Sequence, residues 1–447
     1  MDTSSAASKV VVDAQSIALR AHDVGQRIPL LSVGSWALYD FANTIFSLNI
    51  ISNYFPQYVV NDNGLPDAVY AYPQAFALLL VALIMPLLGA MSDRAGRRMP
   101  WLVGFTLLCI AMTAVMGLAG NVWLVIAAYV LATIGFQTAL VFYDALLPAV
   151  STTLNWGKIS GFGVGLGYVG ALFGGLVAKI LLGDNYKNQD AFLPTTVLFL
   201  IFALPCFFFV REHHRGQIYG SKSIDATQHS APLSWRNSFT QIWHTLQDAL
   251  KVPGLVRFLV ANFFYSDALN TVIIAMGVYA TQVIGFKEVF SVLAPATVAA
   301  VIGSWIFGVV TDRLTSKHTL VISLSLWVPV LVAAIFITDQ LIFQWGIATL
   351  AGVALGSTWT SARTMMVELS PPDKLGEFMG IYNLTGKFSA VLGPALWGTT
   401  LLVLDPDVVG KHLAYGVAIG TLLLMVVVGL LIHLGTPNIK RIAGTRD

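Results

Sequence analysis

Five ionisable residues, Asp40, Asp144, Asp267, Arg363 and Lys387, lie inside long apolar stretches of this chain. A charge inside a bilayer costs several kcal/mol unless it is paired or wetted, so each one marks a candidate site. Asp267 is the deepest carboxylate, about a dozen residues into its stretch. A carboxyl group kept from water can carry a proton or meet a solute amine, which makes Asp267 the first candidate for a coupling or substrate site. The competing reading is a structural hydrogen bond to a neighbouring helix. Lys387 could meet an anionic solute group, or it could reach a membrane edge along its apolar stem. Tyr39, Asn43, Tyr265 and Asn270 join Asp40 and Asp267 by helical neighbourhood as candidate cavity-lining groups. An Asn in a membrane helix also serves to bond helices together.

The chain offers no catalytic constellation and no cofactor site. Its eight His are scattered: His213 and His214 fall in a polar segment, and His318 and His433 near apolar-run edges. No His, Cys and Asp grouping has metal-ligand spacing. Cys109 and Cys206 both sit in apolar runs, which excludes a disulfide framework. Gly165-Leu-Gly167-Tyr-Val-Gly170 fits a dinucleotide-binding pattern, but no strand precedes it. The glycines from Gly161 to Gly175 are better read as a face for close helix packing. With no phosphate-binding loop, nucleotide-driven work is not expected, and the chain is not expected to be an enzyme.

The elements that must position these groups follow from composition. Hydrophobic residues make up 56% and charged residues 11% of the chain, against ~25% charged in ordinary soluble domains. About twelve runs approach the ~20 apolar residues a membrane helix needs. They fall near 31–55, 70–91, 101–119, 122–148, 159–182, 192–210, 255–283, 289–310, 319–338, 341–367, 377–403 and 411–434. They are too long and too continuously apolar for barrel strands. A net charge of +2 gives no sign of a nucleic-acid partner. Of the 25 Lys and Arg, Arg363 and Lys387 lie within runs, and only Lys179, Lys187, Lys287 and Lys411 fall on the side away from the termini. That asymmetry predicts both termini cytoplasmic and an even number of spans.

One motif repeats. Gly89-Ala-Met-Ser-Asp93-Arg94-Ala-Gly96-Arg97-Arg98 returns in reduced form as Gly308-Val-Val-Thr-Asp312-Arg313-Leu-Thr-Ser-Lys317, 219 residues later. At the same offset Ala42-Asn43 meets Ala261-Asn262, and Ser47 meets Ser266. Gly161, Gly167 and Gly174 meet Gly380, Gly386 and Gly393, and Asp144 meets Arg363. Two similar membrane halves are the plan of a transporter that rocks one half against the other. The predicted organisation is a tail over 1–30, a six-helix half over 31–210, a linker over 211–252, a second six-helix half over 253–434 and a tail over 435–447. Within the linker Trp235, Phe239, Ile242, Trp243, Leu246 and Leu250 recur at helical spacing. They predict an amphipathic helix along the membrane face or against the underside of the bundle.

The first repeated loop resembles the signature between spans two and three of the major facilitator superfamily. Further pieces resemble its vacuolar-effluxer-like branch. They are Trp36-Ala-Leu-Tyr39-Asp40-Phe-Ala42-Asn43, Phe142-Tyr143-Asp144-Ala-Leu-Leu-Pro148, Tyr265-Ser266-Asp267-Ala268, Ala362-Arg363-Thr364, Gly376-Glu377-Phe378-Met379-Gly380-Ile-Tyr382 and Gly393-Pro394. The chain departs from that branch at Asp144, Ala268, Ala362 and Thr364, near the implied cavity. The resemblance implies an all-α membrane protein of the major facilitator fold, with twelve transmembrane helices in two pseudo-symmetric six-helix halves. It implies that spans one, four, seven and ten line a cavity. Asp144 would then face Arg363 and pair with it when the inner gate closes; the alternative is local pairing, for example of Arg363 with Glu368. Gly89, Asp93, Arg94, Arg97, Gly308, Asp312 and Arg313 would hold one conformation through charge pairs between the halves.

The expected function is secondary active transport of a small polar solute by alternating access, with export of an amino acid or similar zwitterion as the leading reading and protons as the coupling ion. The expected setting is the plasma (inner) membrane, with the lipid bilayer as surroundings and the monomer as working unit. Efflux of an amphipathic drug or metabolite is the alternative and would use an apolar, aromatic cavity. A nutrient sensor of transporter-like build would instead lose signalling, but keep ligand binding, on removal of 218–230.

Overall fold

The computed structural model describes residues 28–65, 68–152, 154–182, 187–212, 250–286, 290–371, 374–389 and 392–438. The tail 1–27 and most of the linker with its expected amphipathic helix lie outside the described residues, as do the side chains of Arg94 and Lys387.

All twelve apolar runs are helical, and no strand occurs among the described residues. The first half comprises α1 (Leu30–Phe46), α2 (Ala68–Ala95), α3 (Met99–Leu118), α4 (Val122–Ala145), α5 (Trp156–Leu182) and α6 (Phe192–Phe209). The second comprises α7 (Leu255–Gln282), α8 (Phe290–Arg313), α9 (Ser316–Phe336), α10 (Thr349–Leu369), α11 (Leu375–Ser389), α12 (Leu392–Val403) and α13 (Lys411–Leu434). Among the described residues nine helices are long and apolar enough to cross a membrane. With backbone groups satisfied inside each helix and apolar side chains outside, this is a bilayer-spanning bundle.

Two runs differ from their sequence-based limits. The first continues past residue 55 as wider π-helical turns over Ser47–Tyr54 and Tyr58–Asp62. The second bends by 44° between Met85 and Leu87, at Pro86, where the helix ladder loses a donor. The eleventh run is helical over Leu375–Ser389 and Leu392–Val403, on either side of residues outside the described ones.

The halves meet through small residues. A Cβ on Gly157 would lie 2.7 Å from the Gly308 carbonyl oxygen, and one on Gly161 would strike the Ser304 carbonyl. Only residues without side-chain bulk let α5 and α8 approach so closely. On the other side of the pseudo-axis a Cβ on Gly89 would lie 2.5 Å from the Gly376 carbonyl oxygen, so α2 and α11 touch backbone to backbone. Gly170 and Gly174 on α5 pack in the same manner on Phe41 and Ile45 of α1. On the eleventh run Gly393 packs against Asp267 and Thr271 of α7.

Candidate functional site

Both copies of the repeated motif make the same contact with the opposite half. Asp93, near the end of α2, accepts hydrogen bonds from the backbone N–H groups of Gly376 (3.1 Å) and Glu377 (2.8 Å), at the start of α11. Asp312, at the end of α8, accepts from those of Gly157 (2.8 Å) and Lys158 (2.7 Å), at the start of α5. The first turn of a helix has N–H groups with no partner inside the helix and a positive dipole end, so a carboxylate from outside is the natural cap. The two caps are related by the 219-residue offset, donors included.

Around Asp93 the contact is reinforced within its own half. The Arg98 guanidinium donates to Asp93 at 2.7 Å. Glu212, just past the sixth helix, accepts from the backbone N–H of Arg98 at 2.7 Å and from that of Met99. A chain of charge thus runs from the start of the linker through the loop to the start of α11.

Between the two caps sits Arg363 of α10. Its Nε lies 3.0 Å from Asp144 of α4. Its Nη1 and Nη2 each lie 3.4 Å from the same oxygen of Asp40, on α1. Trp36 and Tyr143 stack on each other with ring centroids 4.6 Å apart. The guanidinium carbon stands 5.7 Å from the Trp36 ring centre and 5.5 Å from that of Tyr143. Aromatic faces carry negative potential and hold the cation against them. The indole N–H of Trp36 donates to the Tyr143 carbonyl at 3.3 Å, which fixes the ring pair. Arg363 therefore carries the second half onto two carboxylates and two rings of the first. Glu368 accepts from Ser316 rather than from Arg363.

The remaining candidates lie elsewhere. Tyr39 is fully buried, shares a 2.6 Å hydrogen bond with Thr106 and stacks on Tyr143 at 5.0 Å. It supports the cluster from behind. Asn43 is buried one turn above Asp40. Asp267 is fully buried, and neither carboxylate oxygen meets a hydrogen-bond partner among the described residues. A Cβ on Gly393 of α12 would lie 2.9 Å from Asp267 and would also collide with Thr271. Asn262 donates to Thr385 at 3.3 Å, so α7 and α11 are tied below this point. Tyr265 is buried with an unpartnered hydroxyl, and Asn270 is partly buried. Arg313 is exposed, and Arg97 lies on the exposed loop after α2.

Sequence reasoning missed five participants. Gly157 and Gly376 stand at the 219-residue offset from each other, so the repeat could have found them. Trp36 and Tyr143 belong to quoted motifs, but nothing in the sequence says that they face a cation. Glu212 had no signal, because a single acidic residue after a span is ordinary.

The sequence pattern of the Major Facilitator Superfamily matches residues 41–394 and, in a second alignment, 296–447. The chain belongs to the Major Facilitator Superfamily. Its relatives include an uncharacterized MFS-type transporter, YxiO, of Bacillus subtilis (strain 168), 28% identical over 424 residues covering 90% of this chain and 94% of that one. Autophagy-related protein 22-2 of Aspergillus niger is 26% identical over 277 residues, covering 55% of this chain and 46% of the fungal one. The fold is shared with the human organic anion transporter MFSD10 (TETRAN), at a TM-score of 0.67 and 14% identity over 90% of this chain and 98% of that one. It is also shared with a bacterial homologue of the iron transporter ferroportin, at a TM-score of 0.64 and 14% identity over 92% and 99% of the two chains. This facilitator is thus a multi-pass membrane transporter with the two-half bundle of its superfamily.

Proposed function

We propose that this protein exports a small polar solute, an amino acid or similar zwitterion, by proton-linked alternating access. The observation that carries the reading is the closure of one end of the bundle by three contacts between halves. Asp93 caps α11, Asp312 caps α5, and Arg363 bridges to Asp40 and Asp144. All three lie toward the end that carries the repeated Arg-rich loops. That end is the cytoplasmic one in this reading, by the excess of Lys and Arg there, and the membrane is the plasma membrane.

Each contact is strong only while the halves touch. When they part, both helix starts lose their caps and Arg363 loses its carboxylates to water. The closed end is thus a latch of matched parts that must release for solute to pass. The vacuolar-effluxer resemblance and the fungal relatives support an amino-acid solute. Asp267 serves as the proton carrier, because a carboxylate this deeply buried is costly to keep charged. Tyr265, Asn270 and Lys387 flank that position along the sequence of α7 and α11. Asn43 and Asp40 supply the facing wall on α1.

The test is uptake into proteoliposomes under an imposed pH gradient, with a panel of amino acids, peptides, sugars, nucleosides and organic acids. Proton-driven movement of a zwitterion that is lost in Asp267→Asn supports the reading. Movement of amphipathic dyes alone would replace it with drug efflux. Ligand binding without any movement would replace it with sensing.

A further inference from the structure

Arg363 uses its guanidinium unevenly. Nε is committed to Asp144 at 3.0 Å, a normal charge-assisted distance. The Trp36 and Tyr143 rings stand together on one side of it, 5.7 and 5.5 Å from the guanidinium carbon. The outer fork, Nη1 and Nη2, is left to Asp40, and both nitrogens converge on one oxygen at 3.4 Å. A guanidinium fork is built to hold two carboxylate oxygens side by side at about 2.7–2.9 Å. Asp40 fills this fork with a single oxygen at long range. The site is also reachable: Arg363, Asp40 and Asp144 keep 12%, 10% and 8% of their side chains open. Trp36 and Tyr143 keep none.

We propose that the outer fork of Arg363 is the docking point for a carboxylate group of the solute, and that Asp40, displaced from the fork, takes up a proton from water. This inference rests on the transport reading and names the group of the solute that the site receives.

Counted at the carboxylate end of the solute alone, the charge balance calls for the proton. Arg363 already answers two carboxylates, and a third beside it would leave two uncompensated anions in a space with little water. Uptake of one proton at Asp40 keeps the cluster at its original net charge. No bond between heavy atoms forms or breaks; the carboxylate replaces Asp40 in the fork, and one O–H bond forms on Asp40. The groups that face this event are Arg363 from α10, Tyr143 and Asp144 from α4, Tyr168 from α5 and Tyr382 from α11. Arg363 is the one cation among them, so among the described groups the solute carboxylate has a single charged partner to choose. One carboxylate entering with one proton makes binding and protonation a single linked event.

The test is titration calorimetry on the purified full chain, in two buffers of different ionisation heat. The probes are glycine, L-leucine and acetate, each compared with its carboxamide. The expected result is carboxylate binding at least about tenfold tighter than amide binding, with about one proton taken up per molecule. Asp40→Asn removes the competitor and should tighten carboxylate binding about tenfold while abolishing proton uptake. Arg363→Lys keeps the charge but loses the fork, and should lose about tenfold. Equal binding of amides, carboxylate binding without proton uptake, or no binding of any probe overturns the inference; weakened binding in Asp40→Asn does the same. The wild-type measurement in two buffers decides the matter even where a variant does not fold. Transport of a solute without a carboxyl group would sink this site and leave the transport reading standing. Linked binding without transport would do the reverse.

Discussion

Replacing Gly89 by Ala should open the end of the bundle that the twin caps close. A Cβ at this position would lie 2.5 Å from the Gly376 carbonyl oxygen, 2.8 Å from its carbonyl carbon and 3.0 Å from the Glu377 Cα. All three obstacles are backbone, so no rotamer change relieves them, and α2 and α11 must separate. Overpacking of this kind costs typically ~1–3 kcal/mol. The penalty falls on the closed arrangement alone, because α2 and α11 belong to different halves and part when that end opens. The closed-to-open ratio should therefore fall by about 5- to 150-fold. The same displacement pulls Gly376 and Glu377 away from Asp93, which pushes in the same direction. A thiol placed at Ser304 would report the change. Ser304 is fully buried on α8, against Gly161 and Gly165 of α5 across the interface. The two native thiols, Cys109 and Cys206, are fully buried and give little background. Alkylation of Ser304→Cys by a soluble maleimide should speed up in the Gly89→Ala background. Gly104→Ala, where a Cβ meets nothing within 4 Å, is the control and should change nothing. An unchanged alkylation rate in Gly89→Ala, or an equal rise in the control, would refute the reasoning.

Three further outcomes follow from the same geometry. Asp93→Ala and Asp312→Ala each remove one helix cap, a loss of about 0.5–2 kcal/mol from the closed state; because the caps lie on different helix pairs, the effects on Ser304→Cys alkylation should multiply in the double variant. Exchange of charge between Asp144 and Arg363 should recover little of the thermal stability lost in the single variants, because the new carboxylate at 363 would face Asp40. Restoration should appear when Asp40→Asn is added, and a full recovery without it would show that Asp40 is not the third member of the cluster. Glu212→Gln weakens the acceptor at the start of α3 and should lower the thermal stability of the purified protein by about 1 kcal/mol, measured as a shift in melting temperature; an unchanged melt would remove Glu212 from the chain of charge.

The sequence shows some of this arrangement directly. Helices in a bilayer follow from apolar length alone, and the limits of α13 coincide with the last apolar run at Lys411 and Leu434. The repeat gives the pseudo-axis, and on that axis Asp144 and Arg363 are each other's counterparts. Position along a helix does not say which neighbour a long side chain selects. Asp40 was grouped with Asp267 as a lining carboxylate, and its carboxylate stands 3.4 Å from Arg363, whose long side chain reaches from α10 to α1. Tyr39 shares a turn with Asp40 but points into the first half toward Thr106, a distinction of helix face that a neighbourhood argument ignores. The capping role of Asp93 and Asp312 needed the partner helix start, which only the packing of the halves supplies.

The central claim is that transport requires the latched end to open. Ser92 and Gly376 face each other across α2 and α11, with a Cβ on Gly376 2.8 Å from the Ser92 hydroxyl. A Ser92→Cys, Gly376→Cys pair is therefore within reach of a disulfide with little backbone movement. The measurement is solute flux through proteoliposomes carrying this pair, oxidised and then reduced. The account predicts that oxidation stops flux and that reductant restores it, while the single variants respond to neither treatment. Undiminished flux through the fully cross-linked protein would contradict it.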